Sequence, residues 1–156
     1  MKNQENRQFT TFYIAGHLYG IEVLRVQEVT GALPIAQVPL APKFVCGLIN
    51  LRGQISTAIS LRELFQIYDR TPEDQMNVVC RINDVLISFL VDSVGDVLEL
   101  DFKDFESAPE TVPDGIRRFI EGVYKTPEAL MSVVDVDRIA DYFARASKDL
   151  TKEKTM

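Results

Sequence analysis

Phe44-Val45-Cys46-Gly47-Leu48-Ile49-Asn50-Leu51-Arg52-Gly53-Gln54-Ile55 is the stretch that decides how this chain folds. Two short apolar runs flank Asn50-Leu51-Arg52-Gly53, and Leu61-Arg62-Glu63-Leu64-Phe65 follows as an amphipathic turn. The pattern predicts a β-hairpin with Arg52 at its tip and Gly53 in the positive-φ conformation that a tight turn demands. Nothing in the stretch resembles a nucleophile, a metal site or a phosphate cradle. An arginine offered on a turn meets a partner or pairs within the molecule.

Outward from this hairpin the dominant period is two. Phe9–Ile14 and Leu18–Val23 flank Ala15-Gly16-His17, a second hairpin signal. Met76–Ile82 and Val85–Val91 form a third around Asn83-Asp84, and a strand follows at Asp96–Leu100. Further strands are expected at Glu121–Lys125 and Leu130–Val134. Val38-Pro39 and Pro42 mark an extended connection, because each proline pushes its predecessor out of the α region. One long helix is expected, Val136–Ser147, with Ile139, Ala140, Phe143 and Ala144 on its apolar face and Asp135 as N-cap. The segment 148–156 is charged and without pattern, and is expected to be a flexible tail.

The chain also repeats itself. Phe44–Ile49 aligns with Phe119–Tyr124 at an offset of 75 residues, and the same offset carries Ile55–Ile59 onto Leu130–Val134 and Ser60-Leu61 onto Asp135-Val136. Val38-Pro39 has its echo in Val112-Pro113. Val26-Gln27-Glu28-Val29 falls on Val94-Gly95-Asp96-Val97 at an offset of 68, the difference being a longer loop, Leu100–Thr111, in the second copy. Matches in one order imply two copies of a β-unit, each too small to be stable alone, packed face to face with a groove between them. Short strands with one closing helix predict an all-β protein of two small barrels.

Composition narrows the chemistry. A chain of 156 residues buries about 70% of its unfolded surface. With a net charge of −6 and no basic cluster beyond Arg117-Arg118, it would repel a nucleic-acid backbone, so no nucleic-acid partner is expected. The N-terminus is polar without an apolar core, and no apolar run reaches the ~18 residues of a membrane span. Cys46 and Cys80 lie in apolar runs without CxxC spacing and are expected to be reduced, packed thiols. His17, the one histidine, has no partner at ligand spacing, and the acidic stretch Glu99, Asp101, Asp104, Glu106 lacks a calcium-loop pattern. No GxSxG, SxxK or GxxxxGK[ST] motif occurs, so neither catalysis nor a cofactor is expected.

Taken in order, these pieces resemble the CheW family of bacterial chemotaxis adaptors over about residues 8–147. Phe12–Val23 is similar to its opening FxxxxxxYGIxV hairpin, Val26–Val29 to VQEI, Ile35–Pro42 to the VPxxP linker, Gly47–Gly53 to GxxNLRG and Val91–Val97 to VDxVxxV. The resemblance implies two intertwined five-stranded SH3-like β-barrel lobes with a C-terminal helix. Lobe 1 is expected at about 20–85 and lobe 2 at about 86–140, with the N-terminal strand crossing to lobe 2. The chain departs from the family's PVIDL strand at Thr57 and Ser60; Ser60 retains the ability to cap the following turn.

By that resemblance the protein is a non-catalytic, cytoplasmic adaptor between the cytoplasmic tips of chemoreceptors and the regulatory domain of the histidine kinase CheA. A paralogue serving a separate gliding or pilus array has the same signature. A generic SH3-like peptide module would need a cluster of exposed aromatics. The resemblance implies a Glu28–Arg52 pair beside a receptor groove, with Val26, Val85 and Leu86 as its apolar lining. Asn50 and Gly53 belong to the same turn, and Gly47 is expected to permit close backbone packing.

Overall fold

Among the described residues, 6–155 with side chains through Lys148, the computed structural model turns the period-two pattern into eleven strands in two sheets. One sheet is built from β3 (Val26–Thr30), β4 (Val45–Leu51), β5 (Gln54–Ser60), β6 (Met76–Ile82) and β7 (Val85–Val91), in the order β3-β6-β7-β5-β4. The other takes β1 (Asn6–Ile14), β2 (His17–Glu22), β8 (Ser93–Asp101), β9 (Phe105–Glu106), β10 (Ile120–Lys125) and β11 (Leu130–Val134), ordered β8-β1-β2-β11-β10-β9. Three α-helices accompany them: α1 (Leu61–Leu64), α2 (Asp114–Arg117) and α3 (Val136–Thr155).

The duplication is visible as repeated hydrogen bonding. Ser60 N–H donates to the Phe44 carbonyl at 2.8 Å, and 75 residues on, Asp135 N–H donates to the Phe119 carbonyl at 2.8 Å. Both hairpins that follow these phenylalanines carry a register shift at the equivalent place, Val45/Gly47 and Ile120/Gly122. The Ser60 hydroxyl caps α1 by accepting from Glu63 N–H at 3.1 Å, and the Asp135 carboxylate caps α3 by accepting from Arg138 N–H at 3.1 Å. In each sheet a hairpin strand runs parallel to its neighbour, β7 beside β5 and β2 beside β11. The hairpin of the second sheet is β1–β2, from the N-terminus, and it occupies the place that β6–β7 holds in the first. Each sheet therefore contains a segment distant in sequence, so the lobes are interlocked all-β units.

Four details differ from the sequence reading. The first sheet runs to Val91, because β7 is held to β6 through a ladder from Met76–Val91 to Ile82–Val85, and a boundary at residue 85 would split that hairpin. A sixth, two-residue strand, β9, pairs with β10 in the second sheet inside the expected loop 100–111. Asp114–Arg117 forms a short helix. Finally, α3 continues past Ser147 to Thr155, where no glycine or proline interrupts it; Met156 lies outside the described residues.

Strand alternation sends side chains to two kinds of core. Ile49, Leu51, Ala58, Val79 and Leu86 fill the first barrel, and Phe9, Leu18, Tyr124, Met131 and Val133 the second. A larger shared core takes Phe12, Tyr19, Val78, Phe89, Phe65 and Ile139 from both sheets, the segment after α1, and α3. Rings run continuously through it: Phe12 to Tyr19 at 5.8 Å, Tyr19 to Phe65 at 5.4 Å, Phe65 to Phe119 at 6.4 Å. Tyr142 of α3 then touches both duplicated phenylalanines, Phe119 at 5.2 Å and Phe44 at 5.4 Å. Across the same junction Asp92 accepts hydrogen bonds from Arg62 Nε (2.9 Å) and Nη2 (2.6 Å) and from Ala15 N–H (2.8 Å).

Candidate partner-binding surface

The β4–β5 turn presents its arginine by a backbone device. Arg52 and Gly53 both have positive φ, 50° and 91°, as a two-residue turn of this hand requires. Asn50 Oδ1 accepts from Gly53 N–H at 2.8 Å and locks the loop. Leu51 is buried in the first barrel, so the next side chain is directed out, and that of Arg52 is 75% exposed. Its Nη2 donates to Glu28 Oε2. The Glu28 side chain is 20% exposed and lies on β3, just after a register shift that re-aims the strand between Val26 and Glu28.

β3 and β4 are the two ends of the five-stranded order, so this ion pair joins the edges of the sheet across the mouth of the barrel. The linker helps: Ala36 N–H donates to the Leu48 carbonyl at 2.9 Å and Leu48 N–H returns to Ala36 at 2.8 Å. Gly47 makes that approach possible. A Cβ there would stand 2.3 Å from the Ala36 carbonyl oxygen, and its φ of 145° also favours glycine. Val26 is half-buried against the shared core, and Val85, at the start of β7, is 46% exposed.

Leu86 is the exception. It is only 5% exposed and packs inside the first barrel with Ile49, Leu51, Ala58 and Val79, so it supports the surface from beneath rather than lining it. Alternation along β7 forces this, since Val85 and Leu86 must face opposite ways. Sequence reasoning also passed over Arg81, whose Nε donates to Gln27 Oε1 at 3.2 Å and whose Nη2 donates to Gln54 Oε1 at 3.4 Å. Its position between buried Cys80 and Ile82 was the available signal. Ile55, exposed beside the turn and paired with Asn50, extends the apolar part of the same face.

Three members of the acidic stretch 99–106 have partners within the fold. Asp101 caps a short turn by accepting from Lys103 N–H at 3.0 Å, Glu106 pairs with Lys125 at 2.9 Å, and Glu99 accepts from Asn6 at 2.9 Å. No group of metal-ligating residues occurs among the described residues. Burial pushes the Cys80 thiol up to about 12 and raises Cys46 as well, which disfavours the thiolate in both. Thr57 takes a full place in β5 between Leu48 and Ile87. Among the described residues no helix is long and apolar enough to cross a membrane.

The model of the CheW-like domain matches residues 8–143. The chain belongs to the CheW family. It is 30% identical over 138 residues to the chemotaxis protein CheW of Helicobacter pylori, a match covering 88% of this chain and 83% of that protein. The chemotaxis protein CheW of Treponema pallidum is 26% identical over 155 residues, covering 96% and 88%. In three dimensions the chain is similar to the scaffolding protein TtCheW of Thermoanaerobacter tengcongensis, with a TM-score of 0.74 at 30% identity, over 82% of this chain and 88% of that one. CheW-like proteins are non-catalytic scaffolds of bacterial chemotaxis, and the interlocked SH3-like barrels described above are the fold of that family.

Proposed function

We propose that this chain couples the cytoplasmic tips of chemoreceptors to the regulatory domain of the histidine kinase CheA, working in the cytoplasm at membrane-associated receptor arrays. The receptor is received on the surface formed by Val26, Glu28, Asn50, Arg52, Gly53 and Val85, with Gly47 and Leu86 shaping it from below. The observation that carries this reading is the Arg52–Glu28 ion pair. It gathers residues from two separate family motifs into one exposed patch with apolar neighbours. A pair open to water through the Arg52 side chain contributes about 0–1 kcal/mol to folding, so its placement serves recognition better than stability.

The test is reconstitution. Added to purified receptor arrays and kinase, the chain should raise receptor-controlled phosphorylation, and a receptor-tip fragment should retain it in a pull-down. Incubated alone with ATP and magnesium, it should neither hydrolyse nucleotide nor accept phosphate. Receptor binding that persists when Glu28 and Arg52 are both replaced by alanine would move the receptor site elsewhere; turnover by the chain alone would overturn the adaptor reading.

A further inference from the structure

The internal duplication extends to the mouth of each barrel. Val94 pairs with Phe12 across β8 and β1 as Val26 pairs with Cys80 across β3 and β6, and both ladders shift register just beyond that pair. Asp96 therefore holds in the second barrel the place of Glu28 in the first. At the facing edge, Thr126 N–H donates to the Ala129 carbonyl at 2.9 Å and closes the β10–β11 turn. Its two central residues, Pro127-Glu128, stand where β4–β5 has Arg52-Gly53 between the paired Leu51 and Gln54.

The frames match and the charges do not. In the first barrel the Glu28 carboxylate holds the Arg52 guanidinium. In the second, Pro127 has no charge to offer at the arginine's place, and Glu128 adds a carboxylate where the first turn has glycine. Lys125, just before the turn, is taken by Glu106 at 2.9 Å. Among the described residues no cation pairs with Asp96 or Glu128. Both carboxylate residues line a cavity of about 330 Å³, with Tyr13, Leu18, Leu98 and Pro127 supplying apolar wall.

Acidic residues alone make an ordinary solvated face. Here the first barrel identifies the missing group. The same backbone frame, with the same register shift, seats a guanidinium on the equivalent carboxylate, and in the second barrel the chain supplies none.

We propose that the mouth of the second barrel is a docking surface for a protein partner that presents an arginine on an exposed turn. The guanidinium meets Asp96 and Glu128, as Arg52 meets Glu28 in the first barrel. The arginine's aliphatic stem and its apolar neighbours lie against Tyr13, Leu18, Leu98 and Pro127. This surface is on the other barrel from Glu28 and Arg52, so its test leaves receptor coupling untouched.

The probe is a capped octapeptide, Gly-Leu-Ile-Asn-Leu-Arg-Gly-Gln, which copies residues 47–54. It is titrated into the isotope-labelled intact chain at pH 7 and low salt, and amide shifts are followed by NMR. Saturable shifts at Asp96, Leu98 and Glu128 are expected, weakening as salt rises. A peptide with citrulline for arginine keeps the shape without the charge, and should bind about 3- to 20-fold more weakly, the range for two exposed ion pairs. Asp96→Asn and Glu128→Gln should each weaken binding about 1.5- to 5-fold. Pro127→Arg supplies the cation within the chain and should abolish binding. Equal affinity of the citrulline peptide for the wild-type chain, an affinity unchanged in the Asp96→Asn/Glu128→Gln double variant, or no saturable shift at this mouth would each overturn the assignment. So would shifts there that grow with protein concentration in the absence of peptide, which would make a second copy the occupant.

Discussion

Replacing Asp92 by asparagine should cost this protein a large part of its stability, and the structure says why. The carboxylate sits between β7 and β8 and gathers four donors: Arg62 Nε and Nη2, Ala15 N–H, and Gln75 Nε2 at 3.3 Å. Arg62 is 4% exposed, so its charge has little water to fall back on. Asparagine offers one acceptor oxygen where two are used, and its amide would face a donor. Removing one partner of a buried pair costs about 3–5 kcal/mol. Asp69 still neutralises part of Arg62, which places the expected loss near the lower end, about 3 kcal/mol. That is a substantial fraction of the ~5–15 kcal/mol of a typical domain, and urea unfolding at pH 7 would read it directly. Burial pushes the Asp92 carboxyl up, but the Arg62 and Ala15 hydrogen bonds, the Arg62 charge and Gln75 outweigh it and hold the pKa below the ordinary aspartate value. A depressed folded-state pKa gives stability that is present above the unfolded value and lost as pH falls through the folded one. The wild-type advantage over Asp92→Asn should therefore be full at pH 7 and shrink below about pH 4. A loss under 1 kcal/mol at pH 7, or a difference that does not shrink in acid, would refute this reasoning; Asp69→Asn, at the exposed end, should cost about 0–1 kcal/mol.

Charge reversal at Glu28 or Arg52 should weaken receptor coupling far more than folding, and the double swap should recover part of the loss, with a coupling energy of about 0.5–3 kcal/mol in a double-mutant cycle read by receptor pull-down. Additive effects would show that the two side chains act separately. Gly47→Ala places a methyl against the Ala36 carbonyl in a strained backbone, so Tm should fall and hydrogen exchange at Ala36 and Leu48 should accelerate.

What was legible in the sequence were features written locally. Two-residue turns need positive φ, and Arg52-Gly53, Asn83-Asp84 and Ala15-Gly16 all adopt it. Caps are local too, which is why Ser60 and Asp135 could be read at once. The inward turn of Leu86 could not be read, because β7 is buried from Leu86 to Val91 and shows no alternation to betray its faces. Arg62 is a sharper case. Within Leu61–Phe65 it reads as the polar side of an amphipathic turn, yet its partner Asp92 lies 30 residues away and burial comes only with the interlocked lobes. β9 and α2 were hidden for a different reason: each is two to four residues long and forms by docking, with little intrinsic preference to announce it.

The two arginines, 62 and 52, divide the work of this molecule between them. Arg62 is buried, spans both sheets through Asp92 and Ala15, and fixes how the barrels sit together. Arg52 is exposed, joins the two edges of a single barrel through Glu28, and is held by a turn that its own backbone and Asn50 maintain without the ion pair. Breaking the first contact strands a charge in the interior, while breaking the second returns both charges to water at small cost. On the proposed reading, that asymmetry suits a scaffold: a junction that does not yield, and a surface pair whose guanidinium and carboxylate are free to exchange each other for a partner's groups.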